Sequence, residues 1–242
     1  MGLNLLKSYF DGRIQSVLYN SSTLTKLYQD LGDVQGSKLG PLLYDVYSND
    51  FNFLCDDDEC ILYADDTCLV YVGEDLGILE QHINEKLFQF QSWCNSNKLS
   101  LNASKSQFMV ITNKVVNNYP VLSIGGNNIV RVDCFKYLGV LIDNNLKFQY
   151  QVDHVKSKLN RLCGVSFKLK NYFNARTAKN MYYACVYSVV SYCIAVWGGI
   201  LECTQRGEYL KKLHGRTVRN IFSKFYSGNN CVFKEATFFK NR

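Results

Sequence analysis

The apolar pattern of the chain changes its period near residue 147, and this change limits the folds that the chain can adopt. Before it, short β-prone runs such as Cys60–Tyr63 and Cys68–Tyr71 alternate with turns and one helical stretch. After it, Val152, Val155 and Leu159 recur at helical spacing. A mixed region followed by an all-helical region predicts an α+β fold, with a boundary between residues 146 and 147.

Three helices are predicted after the boundary. The side chain of Asn174 suits the N-cap of the second helix, which is predicted to run to about Trp197. The third helix, roughly Glu208–Phe222, has Leu210 and Leu213 on its apolar side. Its polar side contains four cations, namely Lys211, Lys212, Arg216 and Arg219.

Charge divides the chain at the same place. Residues 1–146 contain ten Lys/Arg and seventeen Asp/Glu, a net charge of −7. Residues 147–242 contain seventeen and four, a net charge of +13. The basic region predicts contact with a phosphate backbone, and the acidic region suits divalent cations. Chance segregation of solvated side chains is the alternative.

The ten cysteines contain no CxxC pair, and most lie beside apolar residues. They are interpreted as buried free thiols in a reducing compartment. A zinc site made by Cys185, Cys193, Cys203 and His214 is the alternative, but its spacing matches no zinc finger. No signal peptide is recognised, and the apolar run Met181–Trp197 is short for a membrane span of about 20 residues. We therefore expect an intracellular protein of the cytoplasm or nucleus, not secreted and not bound to a membrane.

The tetrapeptide Tyr63-Ala64-Asp65-Asp66 lies between two strand-like runs, which predicts a hairpin with an acidic tip. Adjacent carboxylates repel each other unless a cation neutralises them. In two-metal phosphoryl transfer, paired ions stabilise the attacking and leaving oxygens, and oxygen ligands suit magnesium. Asp65 and Asp66 are therefore candidate metal ligands, although a solvated turn is the ordinary interpretation of such a pair.

A second candidate feature is the loop Gln35-Gly36-Ser37, followed by Gly40-Pro41 at the start of a helix. Glycines allow a backbone to approach a ligand closely, and a helix N-terminus favours phosphate. The alternative is an ordinary helix entry, since Pro is common in a first helical turn.

Taken in order along the chain, these motifs resemble the reverse transcriptases of LINE-type non-LTR retrotransposons. The Gln-Gly-Ser loop with Gly-Pro-Leu-Leu and then Tyr-Ala-Asp-Asp are the two most specific segments. Four further segments also resemble that family, namely Leu6–Phe10 with Arg13, Leu99–Ser106, Phe135–Val140 and Ser191–Gly198.

The resemblance implies a partial polymerase palm, an antiparallel sheet with helices, over residues 1–146. The fingers and first palm strands are expected to be absent, and residues 147–242 are expected to form a helical thumb and connection region. The implied activity is RNA-templated DNA synthesis by two-metal nucleotidyl transfer. Its cofactor would be Mg²⁺ or Mn²⁺, and its partners an RNA template, a DNA primer and dNTP.

The resemblance also assigns roles to residues. Asp65 would bridge both metal ions, Asp66 would support the metal site, and Lys105 would neutralise or protonate the leaving pyrophosphate. The nucleotide and template would contact Gln35, Gly36, Ser37, Tyr63 and Ala64. The primer grip would be Phe135, Lys136, Tyr137, Leu138 and Gly139. The nucleic-acid backbone would contact Lys211, Lys212, Arg216 and Arg219.

The family uses a further metal-binding aspartate, on a strand that would precede residue 1. The nearest acidic residues, Asp11 and Asp33, do not lie in a strand-like context. The chain alone is therefore expected to be inactive unless an N-terminal half or another element-encoded chain completes it. The alternatives are a non-catalytic remnant that binds nucleic acid through its basic thumb and a helical protein-binding module over residues 147–225.

Overall fold

The computed structural model describes residues 2–20, 22–23, 25–29, 32, 34, 36–55, 59–199, 201 and 204–222. The chain forms two compact units. Unit 1 comprises Met1–Leu101 with Pro120–Asn127, and unit 2 comprises Asn102–Tyr119 with Asn128–Arg242. The predicted boundary between a mixed region and an all-helical region, at residues 146 and 147, stays a prediction.

The described residues contain both helices and short strands, which confirms the predicted α+β class. The helices are α1 (Gly2–Phe10), α2 (Gly40–Ser48), a 3₁₀ helix (Asn49–Leu54), α3 (Leu76–Ser96), α4 (Gln149–Leu169), α5 (Ala175–Met181), a π-helix (Tyr182–Tyr187), α6 (Ser188–Ser191), α7 (Ile194–Trp197) and α8 (Gln205–Phe222). The strands are β1 (Ile14–Gln15), β2 (Leu18–Tyr19), β3 (Ser22–Thr23), β4 (Leu27–Tyr28), β5 (Glu59–Tyr63), β6 (Asp66–Val70), β7 (Gln107–Phe108), β8 (Ser123–Ile124), β9 (Asn127–Asn128), β10 (Val130–Arg131), β11 (Cys134–Tyr137) and β12 (Val140–Asp143).

Each strand pairs with one other described strand, so the sheets are two-stranded. The antiparallel pairs are β1 with β4, β2 with β3, β5 with β6, β8 with β9, and β11 with β12. Strands β7 and β10 pair in parallel. The two longest pairs, β5–β6 and β11–β12, contain the Tyr-Ala-Asp-Asp and primer-grip segments.

Helix α3 organises the core of unit 1. It begins at the N-cap Asp75, whose Oδ1 accepts hydrogen bonds from the backbone N–H groups of Gly77 and Ile78. Its buried face presents Phe90, whose ring stacks on Phe51 of the 3₁₀ helix at a centroid distance of 5.0 Å. These contacts hold the 3₁₀ helix, and thus the end of α2, against α3.

The core of unit 2 lies among α4, α8 and the helices between them. Leu159 of α4, Trp197 of α7, and Leu210 and Ile221 of α8 are all fully buried. Burial of one such side chain contributes about 1.5–3 kcal/mol. The same core includes Val140 of β12, so the hairpin β11–β12 packs on the helices of this unit.

The predicted helix from Asn174 to about Trp197 is interrupted. Its N-cap is confirmed, since Asn174 Oδ1 accepts the Thr177 N–H at 2.8 Å. The helix then passes through the π-helix and stops at Ser191, and α7 follows Cys193, whose φ is +49°. The Tyr192 carbonyl instead accepts a hydrogen bond from Trp197 Nε1 at 2.8 Å, which gives that buried indole a partner. Within the described part of the chain, no helix combines the length and apolar character that a membrane span requires.

Candidate active site

The hairpin β5–β6 confirms the predicted turn with an acidic tip. Tyr63 pairs with Asp66, and Ala64 and Asp65 form the two-residue connection. Ala64 has a φ of +51°, in the left-handed region. A residue with a Cβ atom loses about 1–2 kcal/mol in that conformation. The tip is therefore held in an unfavourable conformation by the strand pairing below it.

The acidic side chains at the tip face solvent. Asp65 and Asp66 are exposed, as is Tyr63, whereas Leu62 and Leu69 lower in the hairpin are half-buried. Neither carboxylate forms an ion pair or side-chain hydrogen bond with any described residue. The two groups are thus available to a ligand that approaches from solvent.

Tyr44 of α2 lies near enough to Asp65 for the charge of that carboxylate to act on its phenol, and the sequence analysis did not select it. Burial raises the pKa of Tyr44, and the nearby Asp65, Cys94 and Tyr47 raise it further. Its phenol therefore stays neutral at ordinary pH and adds no negative charge beside Asp65. The one signal in the sequence was its position on the helix that starts at Gly40-Pro41.

Three cysteines pack at the base of the hairpin. Burial, followed by a hydrogen bond with Cys55, raises the pKa of Cys60 to about 12, and Cys68 also contributes. A raised pKa disfavours the thiolate that metal binding and redox chemistry require. All three are free thiols, but only Cys55 is buried as predicted; Cys60 and Cys68 are half-buried, and Cys193 of unit 2 is exposed.

The glycine loop before α2 is ordered by local hydrogen bonds. Ser37 Oγ accepts the Gly40 N–H at 2.9 Å and lies 2.5 Å from the Tyr9 hydroxyl. The guanidinium of Arg13 donates to the Gly32 carbonyl at 2.8 Å, and Gly36 has a φ of +81°. The hydroxyl of Ser37 thus serves the helix entry, and a nucleotide contact stays a prediction. Gln35 and Asp33 lie outside the described residues.

Lys105 belongs to unit 2, whereas Asp65 and Asp66 belong to unit 1. It lies in a turn in which Asn102 Oδ1 accepts the Lys105 N–H at 3.2 Å. Its side chain is exposed and makes no ion pair with any described residue. Its predicted role at the leaving pyrophosphate stays a prediction.

The hairpin β11–β12 contains the predicted primer grip, and its tip is clamped. Leu138 and Gly139 form the connection with φ values of +44° and +85°. The hydroxyl of Tyr192 donates to the Leu138 carbonyl at 2.5 Å. A Cβ atom at Gly139 would lie 3.2 Å from the Tyr192 ring, so glycine allows this close approach.

Two buried polar side chains join the same hairpin to α4. Gln151 Oε1 accepts the Leu141 N–H at 3.1 Å. Asp143 accepts the N–H groups of Lys147 at 2.7 Å and Gln149 at 2.9 Å, and so caps the start of α4. Of the primer-grip residues, Phe135, Tyr137 and Leu138 are half-buried, and Lys136 and Gly139 are exposed.

The four predicted backbone-binding cations lie on α8. Lys212, Arg216 and Arg219 are exposed, and Lys211 is half-buried. Lys212 Nζ lies 3.7 Å from the carboxylate of Glu208, in an exposed pair of little energetic weight. No group of three or more His, Cys, Asp or Glu side chains is arranged to hold a metal ion among the described residues. Cys203, part of the alternative zinc site, lies outside them.

Comparison with known proteins identifies the chain. The family model for reverse transcriptase (RNA-dependent DNA polymerase) matches residues 2–142. The chain belongs to the reverse transcriptase family. The matched region includes the glycine loop, both strands of the Asp65–Asp66 hairpin, Lys105 and the predicted primer-grip residues 135–139.

Relatives of this reverse transcriptase chain include RNA-directed DNA polymerases named for a transposon and for a mobile element. It is 33% identical over 159 residues to the "Probable RNA-directed DNA polymerase from transposon X-element" of Drosophila melanogaster, covering 64% of this chain and 17% of the relative. It is 26% identical over 204 residues to the RNA-directed DNA polymerase from mobile element jockey of Drosophila funebris, covering 80% and 22%. The chain thus spans about a fifth of the length of these relatives. No solved structure matches it.

Asp65 and Asp66 offer the oxygen donors that a hard divalent cation prefers. Both are solvent-facing and unpaired among the described residues, so their chemistry fits a magnesium ion. Two side chains are fewer than a two-metal site uses, and the described residues bring no third acidic group to the tip.

Proposed function

We propose that this chain is the part of an RNA-templated DNA polymerase that contributes the Asp65–Asp66 hairpin of the active site. The observation that carries the proposal is the exposed acidic tip, held in a left-handed turn at Ala64. Such a tip leaves two carboxylates open to solvent, from which a metal-bound triphosphate and a primer end would approach. The substrates are an RNA template, a DNA primer and dNTP.

Asp65 and Asp66 would hold the divalent ion, which is Mg²⁺ or Mn²⁺. When bound, the ion would neutralise the charge that develops during phosphoryl transfer. The chain's own residues orient the reactants. Tyr63 is exposed beside the carboxylates, so its ring is available to stack against a primer end. The backbone at Gly36, in the loop before α2, has no neighbouring atom among the described residues within 4 Å of its Cβ position and is accessible to a ligand.

The remaining roles follow the same logic. Lys105 presents an exposed ammonium group that can neutralise a leaving pyrophosphate. The tip at Leu138 and Gly139 is fixed in position by Tyr192. A fixed tip suits a primer grip, because the primer must be held in one position during nucleotide addition. We further propose that a third acidic ligand comes from sequence beyond this chain. In that case residues 1–146 act as a palm portion and residues 147–242 as a thumb.

The test is primer extension on an RNA template with magnesium. The chain is assayed alone and within a longer protein that includes upstream sequence. Asp65→Asn should lower incorporation by about 10³-fold or more, because loss of one member of a catalytic unit removes orders of magnitude in rate. Asp45→Asn on α2 is the matched control, since it removes one exposed carboxylate from the neighbouring helix.

Equal activity of the two variants in the longer protein would contradict the proposed role of Asp65. Incorporation by the chain alone that is sensitive to Asp65→Asn would show that the chain completes its own metal site. No incorporation by the chain alone, with activity in the longer protein, is the result that we expect.

A second function is supported by the net charge of +13 in residues 147–242. Here the isolated chain binds nucleic acid and synthesises nothing. Binding should then be salt-sensitive, because each neutralised phosphate releases counterions. An Arg216→Ala/Arg219→Ala variant measures the share contributed by α8.

A further inference from the structure

A basic face of α4, distinct from the cations of α8, has no assigned role. His154, Lys158, Arg161 and Lys168 follow one another at intervals of four, three and seven residues, which places them along one side of the helix. At about 1.5 Å per residue, the stripe extends for about 21 Å. Lys158, Arg161 and Lys168 are exposed, and the buried Val155 and Leu159 face another direction.

Lys136 of β11 extends this stripe beyond the start of α4. Burial lowers the pKa of His154, and the charges of Lys158, Lys136 and Arg161 lower it further. Lys136 is the register partner of Leu141 across the hairpin, so it lies at the point where the hairpin adjoins the start of α4. The contact between hairpin and helix is fixed by Gln151, which accepts the Leu141 N–H.

The positive charge of the stripe is not neutralised locally. Residues 154–201 contain five Lys, two Arg and no Asp or Glu. The preceding acidic residue, Asp153, pairs with Arg206 at 3.0 Å. Lys136, Lys158, Arg161 and Lys168 form no ion pair with any described residue. Uncompensated cations in a line favour a linear polyanion.

Two aromatic rings are exposed near the end of α4 at which Lys168 lies. Phe167 is 58% exposed, and Lys170 Nζ covers its ring at 4.5 Å from the centroid. Tyr172 follows the end of α4, is 84% exposed, and has its backbone fixed by a hydrogen bond to the Leu169 carbonyl. An open ring beside a line of cations is the combination that binds unpaired bases and their phosphates.

We propose that the α4 track, defined as Lys136, His154, Lys158, Arg161, Lys168 and Tyr172, binds one single strand of nucleic acid. The phosphates lie along the cations, and an unpaired base stacks on Tyr172. A single strand is favoured over a duplex because a duplex conceals its base faces and leaves Tyr172 without a partner. The inference deepens the proposed function, since it names the surface on which a template or displaced strand would lie.

The test is fluorescence anisotropy with a fluorescein-labelled oligouridylate, in EDTA and without nucleotides. Lys158→Ala/Arg161→Ala should weaken binding by about tenfold or more, and should lower the log–log salt slope by about 1.4, because single strands contribute about 0.7 per phosphate contact. Lys26→Ala/Lys114→Ala removes the same charge from exposed sites elsewhere and should bind like the parent chain. Binding by the track variant that equals that of this control overturns the proposal.

The second measurement tests the choice of a single strand. Tyr172→Ala should weaken oligouridylate binding by roughly tenfold and leave binding of a blunt labelled duplex unchanged. If Tyr172→Ala binds oligouridylate like the parent, the occupant is a duplex and the proposal is overturned. Because no metal or nucleotide is present, a chain that fails at primer extension can still pass this test. A chain that fails this test can likewise still extend a primer.

Discussion

Two hairpins of similar size have opposite surroundings. Both β5–β6 and β11–β12 are antiparallel pairs joined by two residues, and both turn through left-handed conformations. The tip of the first, at Ala64 and Asp65, is solvent-exposed. The tip of the second is held by Tyr192 and the helical core. The tip that we propose to bind metal is thus left open to solvent, whereas the tip that we propose to hold a primer is built into the core.

The largest effect should come from the base of the clamped hairpin. Asp143→Ala removes the acceptor for two backbone N–H groups at the start of α4 and should lower the free energy of unfolding by about 3 kcal/mol. Asp66→Ala on the open hairpin should change it by less than about 0.5 kcal/mol. Urea denaturation checks this, followed by Trp197 fluorescence in a Trp93→Phe background for unit 2 and by far-UV circular dichroism for the helices of both units, since Asp66 lies in unit 1. Equal losses in the two variants would refute the contrast between the hairpins.

Acid should weaken the core that supports the clamped hairpin. Burial lowers the pKa of His214 on α8 from 6.5 to about 4. Because the folded pKa lies below the unfolded value, the fold favours the neutral ring. The stabilisation is complete above about pH 6.5 and is lost as the pH falls toward 4, by about 2 kcal/mol at pH 5.

Urea denaturation at pH 7 and pH 5, again followed by Trp197 fluorescence, measures this loss. A His214→Gln variant should lose less stability on acidification than the parent, whereas His82→Gln in unit 1 should lose as much. A His214→Gln variant with the full acid loss would assign the effect to another group.

A smaller effect should follow from the clamp itself. Tyr192→Phe keeps the ring against Gly139 but removes the hydrogen bond to the Leu138 carbonyl, at an expected cost of about 1 kcal/mol in unfolding free energy. Tyr183→Phe is a control, since Tyr183 is also half exposed and lies on the preceding π-helix. In the longer protein, Tyr192→Phe should also shorten primer-extension products if a fixed tip matters for holding the primer.

The smallest effect is expected at the open tip. Ala64→Gly relieves a left-handed conformation worth about 1 kcal/mol, but glycine loses a similar amount of backbone entropy on folding. The net change in unfolding free energy should stay within about 0.5 kcal/mol. A loss of more than that in a thermal melt would mean that the Ala64 methyl group has packing contacts that stabilise the tip.

The sequence predicted those features that depend on interactions between residues close together in the chain. The Asp65–Asp66 hairpin followed from strand runs around a polar turn, and Asn174 was recognised as an N-cap from its side chain and position. The clamp on Leu138 comes from Tyr192, which is 54 residues away in the chain. No period or turn motif encodes such a contact. The interruption before α7 was missed because it depends on the buried Trp197 indole. Its Nε1–H donates to the Tyr192 carbonyl, which would be bonded within the helix if the helix were continuous.

The residues of the candidate site that lie in continuous motifs could be selected from the sequence, whereas those brought near by tertiary packing could not. Motif order gave Asp65, Asp66, Lys105 and the two hairpins, since these residues lie in short continuous segments. Tyr44 was missed because its proximity to Asp65 depends on the tertiary arrangement of α2 and the hairpin, which lie apart in the sequence. The α4 track escaped notice because its cations are spread over a helix and joined by Lys136 from a strand.

The joint made by Asp143 and Gln151 has a mechanical consequence. These two buried side chains tie β12 and the first turns of α4 together, so hairpin and helix behave as one lever rather than as two hinged parts. A load applied at Lys168, near the far end of the helix, would therefore be transmitted to the Leu138–Gly139 tip. If a strand binds along α4 as proposed, tension on that strand would displace the hairpin.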